Sequence, residues 1–139
     1  MAFPWLTTLQ GGENLNRVRT LKIPLTAATT TDGGAVCSVA NPEGVNLLVL
    51  RLVVDLTSGS TGVATIDFGI SDEGPEASAD GLIDGLAVQG NALIVDNFTN
   101  PGTNGRQLRR WSTEEYFTGT ASATLAGLVG VAHIEYIRA

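Results

Sequence analysis

The segment VNLLVLRLVVDL, residues 45–56, decides the fold of this chain. Its even positions from 48 to 56 are all apolar, whereas Arg51 and Asp55 interrupt the apolar odd positions. This period of two predicts a β-strand with one face fully buried and the other partly covered. Twelve residues with an arginine in the middle are too few to cross a bilayer, so we predict no membrane span. We expect the buried face to consist of Leu48, Leu50, Leu52, Val54 and Leu56.

The opposite face of this segment is also partly apolar, because Leu47, Val49 and Val53 occupy odd positions. A small domain has to cover such a face, and a neighbouring copy of the chain is one way to do so. These three residues, together with Arg51, are therefore candidates for an interface between copies.

The composition favours strands joined by tight turns over long helices. The chain has 139 residues, a length typical of one domain, and 17 of them are glycine. Short apolar alternations separated by turn residues indicate about seven to nine strands, which is typical of a two-sheet sandwich or a barrel. The single cysteine, Cys37, excludes an internal disulfide, and we expect it to be a small buried side chain.

The alternations also suggest which strands are neighbours. Residues 63–70 alternate cleanly, and we expect them to pair antiparallel with residues 45–56 across the Gly/Ser-rich loop 57–62. Residues 126–138 form a long last strand, which is expected in the core beside an early strand.

A further pair of strands is expected from residues 107–111 and 115–120. Within the first of these, Arg109 and Arg110 must point to opposite faces, so at most one of them points inward.

One short helical turn is expected between these strands, where the period of two is lost. Ser78 could cap the turn, and Leu82, Ile83 and Leu86 would then share one face.

The first 16 residues resemble an arm more than a core element, and we place the sandwich domain at residues 17–139. Phe3 and Trp5 are large apolar residues that precede a flexible Gly11-Gly12 joint. Such aromatic side chains are expected to dock, either on the core of their own domain or on a neighbouring subunit. Both alternatives stay open from the sequence.

Charge is unevenly distributed along this acidic chain, whose formal net charge is −6. No lysine or arginine occurs between Leu52 and Gly105, and an acidic middle repels phosphate, so we predict no nucleic-acid partner. The charges either form a solvated surface or bring basic and acidic patches together across copies. The bases cluster at Arg17, Arg19 and Lys22, and again at Arg106, Arg109 and Arg110.

The sequence contains few residues that could take part in catalysis. The only histidine, His133, falls in the last strand, where we expect a structural residue on an outer or inter-subunit face. A general base needs a nucleophile or an orienting acid beside it, and no phosphate loop or nucleophile elbow occurs. One cysteine and one histidine are too few for zinc. We therefore predict no catalytic residue, no cofactor and no enzymatic activity.

Two binding alternatives remain. Calcium could be bound by Asp80 and Asp84, or by the acidic residues of 72–76, although turn formation and capping also account for these side chains. We predict no bound metal. A carbohydrate-binding module would use exposed aromatic residues, for which the candidates are Trp5, Trp111, Tyr116 and Phe117.

The order of several short motifs resembles that of small structural proteins of tailed bacteriophage particles, in particular capsid decoration (cement) proteins. The motifs are ATIDFG (64–69), LIDGL (82–86), DNFTNPGTNG (96–105), YFTGT (116–120) and GLVGVAHIEYI (127–137). They cover the chain from about residue 45 to 138 and consist of fold-building residues.

This resemblance implies a jelly-roll-like β-sandwich with a structural role in the virion. Decoration proteins of this kind sit on the capsid as homotrimers, so the implied partners are further copies of the chain and the phage major capsid protein. Assembly would take place in the host cytoplasm. A tail or fibre knob and a carbohydrate-binding module are the alternatives. The interface candidates are Phe3, Trp5, Arg17, Arg19, Leu47, Val49, Arg51 and Val53.

Overall fold

The computed structural model of the protein describes residues 17–27, 33–106 and 108–139, so the predicted arm at residues 1–16 lies outside them. The described residues form nine β-strands, all of them paired antiparallel, and no helix. Accordingly, this part of the chain has no helix that could span a membrane. The strands are β1 (Arg19–Pro24), β2 (Gly34–Ala40), β3 (Leu47–Ser58), β4 (Thr65–Ser71), β5 (Ile83–Ala87), β6 (Leu93–Asp96), β7 (Arg109–Trp111), β8 (Tyr116–Ala121) and β9 (Val129–Arg138).

The strands form two sheets whose inward side chains share one core. The first sheet has the order β1-β9-β3-β6, with β7 also paired to β3, and the second has the order β2-β8-β4-β5. If the three-residue β7 is left out, the orders of strands in the two sheets are those of a jelly roll. The predicted jelly-roll-like β-sandwich is therefore confirmed.

The strand predicted to organise the chain, β3, lies in the interior of the first sheet. One edge pairs with β9 along almost its whole length. The other edge is shared, because β7 pairs with Leu47–Val49 and β6 pairs with Val53–Leu56. The prediction that the last strand lies beside an early strand is also confirmed, since β9 is flanked by β1 and β3.

A β-bulge at Leu50 changes which side chains of β3 are buried. Val49 faces Tyr136 and Arg51 faces Glu135, so Leu50 is an extra residue on β3. Such an insertion reverses the inward and outward alternation on its two sides. The predicted buried face at even positions is therefore correct only after the bulge. The side chains of β3 that face the core are Leu47, Val49, Leu52, Val54 and Leu56.

The predicted pairing of residues 63–70 with residues 45–56 is wrong, because β4 belongs to the second sheet. There it pairs with β8 on one edge and β5 on the other. Both edges of β3 are already occupied, so the loop after it carries the chain across to the other layer. The predicted alternation of this segment is right, since Ile66, Phe68 and Ile70 are buried in the core.

The predicted pair of residues 107–111 with residues 115–120 is also wrong. Strand β7 joins β3 in the first sheet, whereas β8 lies between β2 and β4 in the second. The two arginines do separate as expected, since Arg109 is half-buried and Arg110 is exposed.

The predicted helical turn is replaced by β5. Ile83 pairs with Phe68 and Leu86 with Ile66, so β5 has one more residue than β4 between these pairs. Gly85 has a φ of 74°, the left-handed conformation that a glycine supplies at one type of bulge. This extra residue puts Ile83 and Leu86, three apart, on the same face, which imitates the spacing of a helix.

The core joins the two sheets through three aromatic rings. Trp111 of the first sheet contacts Phe117 of the second, with ring centroids 6.4 Å apart. Phe117 stacks on Phe68 at 6.0 Å. All three side chains are fully buried, and the Trp111 indole Nε1–H donates to the Glu115 carbonyl at 2.9 Å.

Cys37 is a buried, unpaired thiol on β2, as predicted. Burial raises its pKa to about 12, so it remains a neutral thiol at physiological pH. Opposite it, Gly119 of β8 leaves no room for a side chain, because an added Cβ would lie 2.8 Å from the Cys37 Sγ.

Candidate functional site

The structure separates the predicted interface residues into three groups. Phe3 and Trp5 lie outside the described residues. Leu47 and Val49 are fully buried in the core of their own chain, so the expectation that they form an outer apolar face is wrong. The bulge at Leu50 is the reason, because it turns this half of β3 the other way. Arg17, Arg19, Arg51 and Val53 retain access to solvent.

An apolar outer face nevertheless exists on the first sheet, formed by residues next to those predicted. We use the term outer face for the outward side chains of β3 and β9 and their neighbours on β1 and β6. Across the β3–β9 pair, Leu48 lies opposite Ile137, and Asp55 lies opposite Val131. The half-exposed apolar residues of this face are Leu48, Leu50, Val53, Val131 and Ile137.

Two strongly exposed residues extend this apolar area at one end of the sheet. Ile94 of β6 lies opposite Asp55 and is 72% exposed, and Val129 at the start of β9 is 58% exposed. The outer face therefore presents large aliphatic side chains to solvent on a regular pleated support.

Charged residues are interspersed with these aliphatic side chains. Arg51 lies opposite Glu135, and its Nη2 forms an ion pair with Asp96 Oδ2 at 2.8 Å. The guanidinium group also lies 5.9 Å from the centre of the Phe98 ring. The pKa of Asp96 is lowered to about 2, first by the Thr99 backbone N–H and then by Arg51. Arg51 is thus held in place and still partly exposed.

His133 lies on the same outer face, as predicted. The strand register places it between Lys22 of β1 and Val53 of β3. Glu135, the next outward residue of β9, lies between Thr20 and Arg51. The face therefore combines positive and negative groups in adjacent rows.

Arg19 is engaged within the chain at a corner of the first sheet. It binds Glu43, which belongs to the turn between β2 and β3. Arg138 at the end of β9 binds the same carboxylate, with its Nη2 2.8 Å and its Nε 3.1 Å from Oε1. These hydrogen bonds, that of Arg19 first, lower the pKa of Glu43 to about 2. The carboxylate therefore links β1, β9 and the turn.

At neutral pH, Glu43→Gln is expected to lower the free energy of unfolding by about 1–2 kcal/mol, because charge-assisted hydrogen bonds to two partly solvated arginines are lost. The carboxylate has a pKa of about 2 in the folded chain and an ordinary value of 4.5. Its stabilising effect is therefore present above the ordinary value and is lost as the pH falls through the folded one. Urea unfolding at several pH values should show the variant approaching wild type under acidic conditions.

The exposed residue Glu114 supplies the matched control. Glu114→Gln is expected to stay within about 0.5 kcal/mol of wild type at every pH. A Glu43→Gln deficit that stayed constant down to acidic pH would show that the Glu43 carboxylate does not act through its charge.

Two of the acidic residues considered for calcium, Asp80 and Asp84, have structural partners, whereas Asp72, Glu73 and Glu76 are exposed. Asp80 Oδ2 accepts from the Asn104 side chain at 3.0 Å, and Asp84 Oδ2 accepts from the Asn104 backbone N–H at 3.1 Å. Asp67 accepts from the Gly85 backbone N–H at 2.7 Å, and its pKa is raised, first by burial and then by its acidic neighbours. No group of three metal-binding side chains occurs in the described residues. Asp80 and Asp84 thus hold the loop after β6 beside β5, whereas Asp67 links β4 to β5.

The aromatic residues considered for carbohydrate binding lie mainly inside the protein. Trp111 and Phe117 are fully buried, so neither ring can stack on a sugar at the surface. Tyr116 is half-buried, and Trp5 lies outside the described residues. The cluster that suggested this alternative is part of the core.

The sequence does not single out Asn97, although it is the most deeply buried amide side chain of the described residues. Its Oδ1 accepts from the Leu52 backbone N–H at 2.8 Å, and its Nδ2 donates to the Arg106 carbonyl at 3.1 Å. The backbone N–H of Asn97 donates to the Leu52 carbonyl at 3.2 Å. Asn97 thereby fills the gap on the edge of β3 between β6 and β7.

Comparisons with known proteins give no assignment: neither the family models nor the curated proteins include a match to this chain. The geometry of the outer face, with aliphatic side chains and fixed charges on a rigid sheet, suits noncovalent binding to another protein surface.

Proposed function

We propose that this protein is a non-enzymatic head decoration protein of a tailed bacteriophage, which binds the major capsid protein and stabilises the capsid as a homotrimer. The proposal joins two observations. The motifs that resemble those of such proteins are fold-building residues, and the chain has the jelly-roll-like fold that the resemblance implies. Because one fold serves many functions, the proposal depends mainly on the outer face.

The outer face of the first sheet carries the proposal. Exposed aliphatic side chains such as Ile94 are costly in water when they form a continuous area, and a second copy of the chain can cover them. Charge complementarity favours a second copy as the occupant. Lys22, Arg51, Asp55 and Glu135 all lie on this face, so each copy presents both signs of charge to the other.

A single charge placed in the centre of this face tests the proposal. Val53→Asp is expected to convert a homotrimer, three times the 14.4-kDa chain mass, into monomers without unfolding the sandwich. A carboxylate in an apolar contact loses its hydration without gaining a partner. Light scattering after size exclusion measures the mass, and circular dichroism checks the fold. Binding to purified heads that lack the protein should be lost in parallel.

The matched control is Val63→Asp, in the loop between β3 and β4, where the valine is 79% exposed. This variant should remain trimeric and should bind heads like wild type. Wild-type protein that is monomeric at all concentrations and does not bind heads would refute the proposal. Trimers that label only tails in electron micrographs would instead assign the chain to a tail or fibre knob.

A further inference from the structure

A polar cleft lies at one end of the sandwich, where β7 of the first sheet comes next to the end of β4 in the second. Its volume is about 540 Å³. Two loops form its walls, residues 79–81 before β5 and residues 103–106 after β6, and Arg109 and Ile70 also line it. The cleft is separate from the outer face, and the sequence alone does not reveal it, because its walls are more than 20 residues apart.

The cleft is lined by two arginines and one aspartate. Arg109 points toward it from the inner side of β7, opposite the buried Val49. Its Nη2 donates to the Ile70 carbonyl at 3.5 Å, the limit of a hydrogen bond, and it forms no ion pair with a described residue. The side chain of Arg106 forms no hydrogen bond and no ion pair with a described residue. Most of the donors of both side chains are therefore without a partner among the described residues.

The one carboxylate in the lining, that of Asp80, offsets only one of the two positive charges. Asp80 Oδ2 is bound by the Asn104 side chain at 3.0 Å, as described above. The cleft therefore has an excess of positive charge in a chain whose formal net charge is −6. Such a concentration of cationic donors in an acidic protein is the arrangement that recognises an anion.

We propose that this cleft is a binding site for a carboxylate, and that it takes an aspartate or glutamate side chain from an acidic segment of a partner protein. The planar fork of a guanidinium group matches the two oxygens of a carboxylate. A phosphate dianion fits less well, because Asp80 and Asp84 stand at the same end of the sandwich and repel a second negative charge. The proposal does not rest on the function proposed above, since any protein with an exposed acidic segment has the required chemistry.

The test uses an acidic peptide with one carboxylate, acetyl-Gly-Asp-Gly-amide, and its uncharged analogue with Asn. The Nε–Hε signals of Arg106 and Arg109 in ¹H–¹⁵N spectra should shift with the acidic peptide only. Arg109→Gln is expected to weaken binding about tenfold, the effect of one charge-assisted hydrogen bond. Arg109→Lys should not restore it, since lysine retains the charge but not the fork. Arg110→Gln, on the opposite face of the same strand, is the matched control and should bind like wild type.

Three results would overturn the proposal. They are the absence of a shift at both arginines up to the solubility limit of the acidic peptide, equal shifts with the uncharged peptide, and a stronger response to inorganic phosphate than to the acidic peptide. The light-scattering assay of Val53→Asp is unaffected by any of these, so failure at the cleft can be told apart from failure at the outer face.

Discussion

Trp111→Ala is expected to lower the free energy of unfolding by about 3–5 kcal/mol, the range for removing a large aromatic side chain from a core. Trp111 is the largest fully buried side chain of the described residues, and its ring touches Phe117 across the two sheets. The substitution leaves a cavity between the layers and removes the indole donor from the Glu115 carbonyl. Because a domain of this size is stabilised by only about 5–15 kcal/mol, the variant should lose a large part of its stability.

Urea unfolding followed by circular dichroism measures this loss. Phe98 provides the matched control, since it is an aromatic residue on a loop and is 41% exposed. Phe98→Ala should cost less than about 1 kcal/mol, the size of its contact with Arg51. Equal losses in the two variants would show that Trp111 does not join the sheets.

Asn97→Ala is expected to lower the free energy of unfolding by about 2–4 kcal/mol, a large effect for a small polar side chain. The substitution leaves the buried Leu52 N–H without its acceptor and the Arg106 carbonyl without one of its donors. An unsatisfied buried backbone N–H costs about 1–3 kcal/mol, and the loss of the donor to the Arg106 carbonyl adds to this cost. Asn97→Asp should not rescue stability, because its second oxygen would face the Arg106 carbonyl.

Two measurements distinguish this local cause from a general loss of packing. Hydrogen exchange should accelerate most at the Leu52 amide, because its acceptor is gone. The exposed Asn100, in the same loop, is the control, and Asn100→Ala should stay within about 0.5 kcal/mol of wild type. Unchanged protection at Leu52 in Asn97→Ala would contradict the proposed role.

The strands and the fold class could be predicted because their signals are local. Alternation in residues 63–70 and 126–138, with turn residues between the segments, is a property of neighbouring residues. Which strands pair, in contrast, is determined by contacts between residues that are far apart in the sequence. Nothing within residues 63–70 indicates that β9, β6 and β7 already occupy both edges of β3.

The bulges could not be predicted for a different reason. Leu48, Leu50 and Leu52 are chemically identical, so an apolar run contains no sign of which leucine is the extra one. At residues 83–86, the inserted residue produced a spacing that is also typical of a helix. The outer face was therefore predicted on the correct strand, whereas two of its four predicted β3 residues, Leu47 and Val49, belong to the core.

The extra residue of β3, Leu50, also determines which changes in strand length the protein can tolerate. Deleting Leu50 alone would restore a regular ladder and keep Leu47 and Val49 in the core, because Val49 and Arg51 already lie opposite consecutive residues of β9. A deletion at another position beyond the bulge would instead turn part of the strand to the wrong face. Natural variants that are one residue shorter in this strand should therefore lack the residue at position 50.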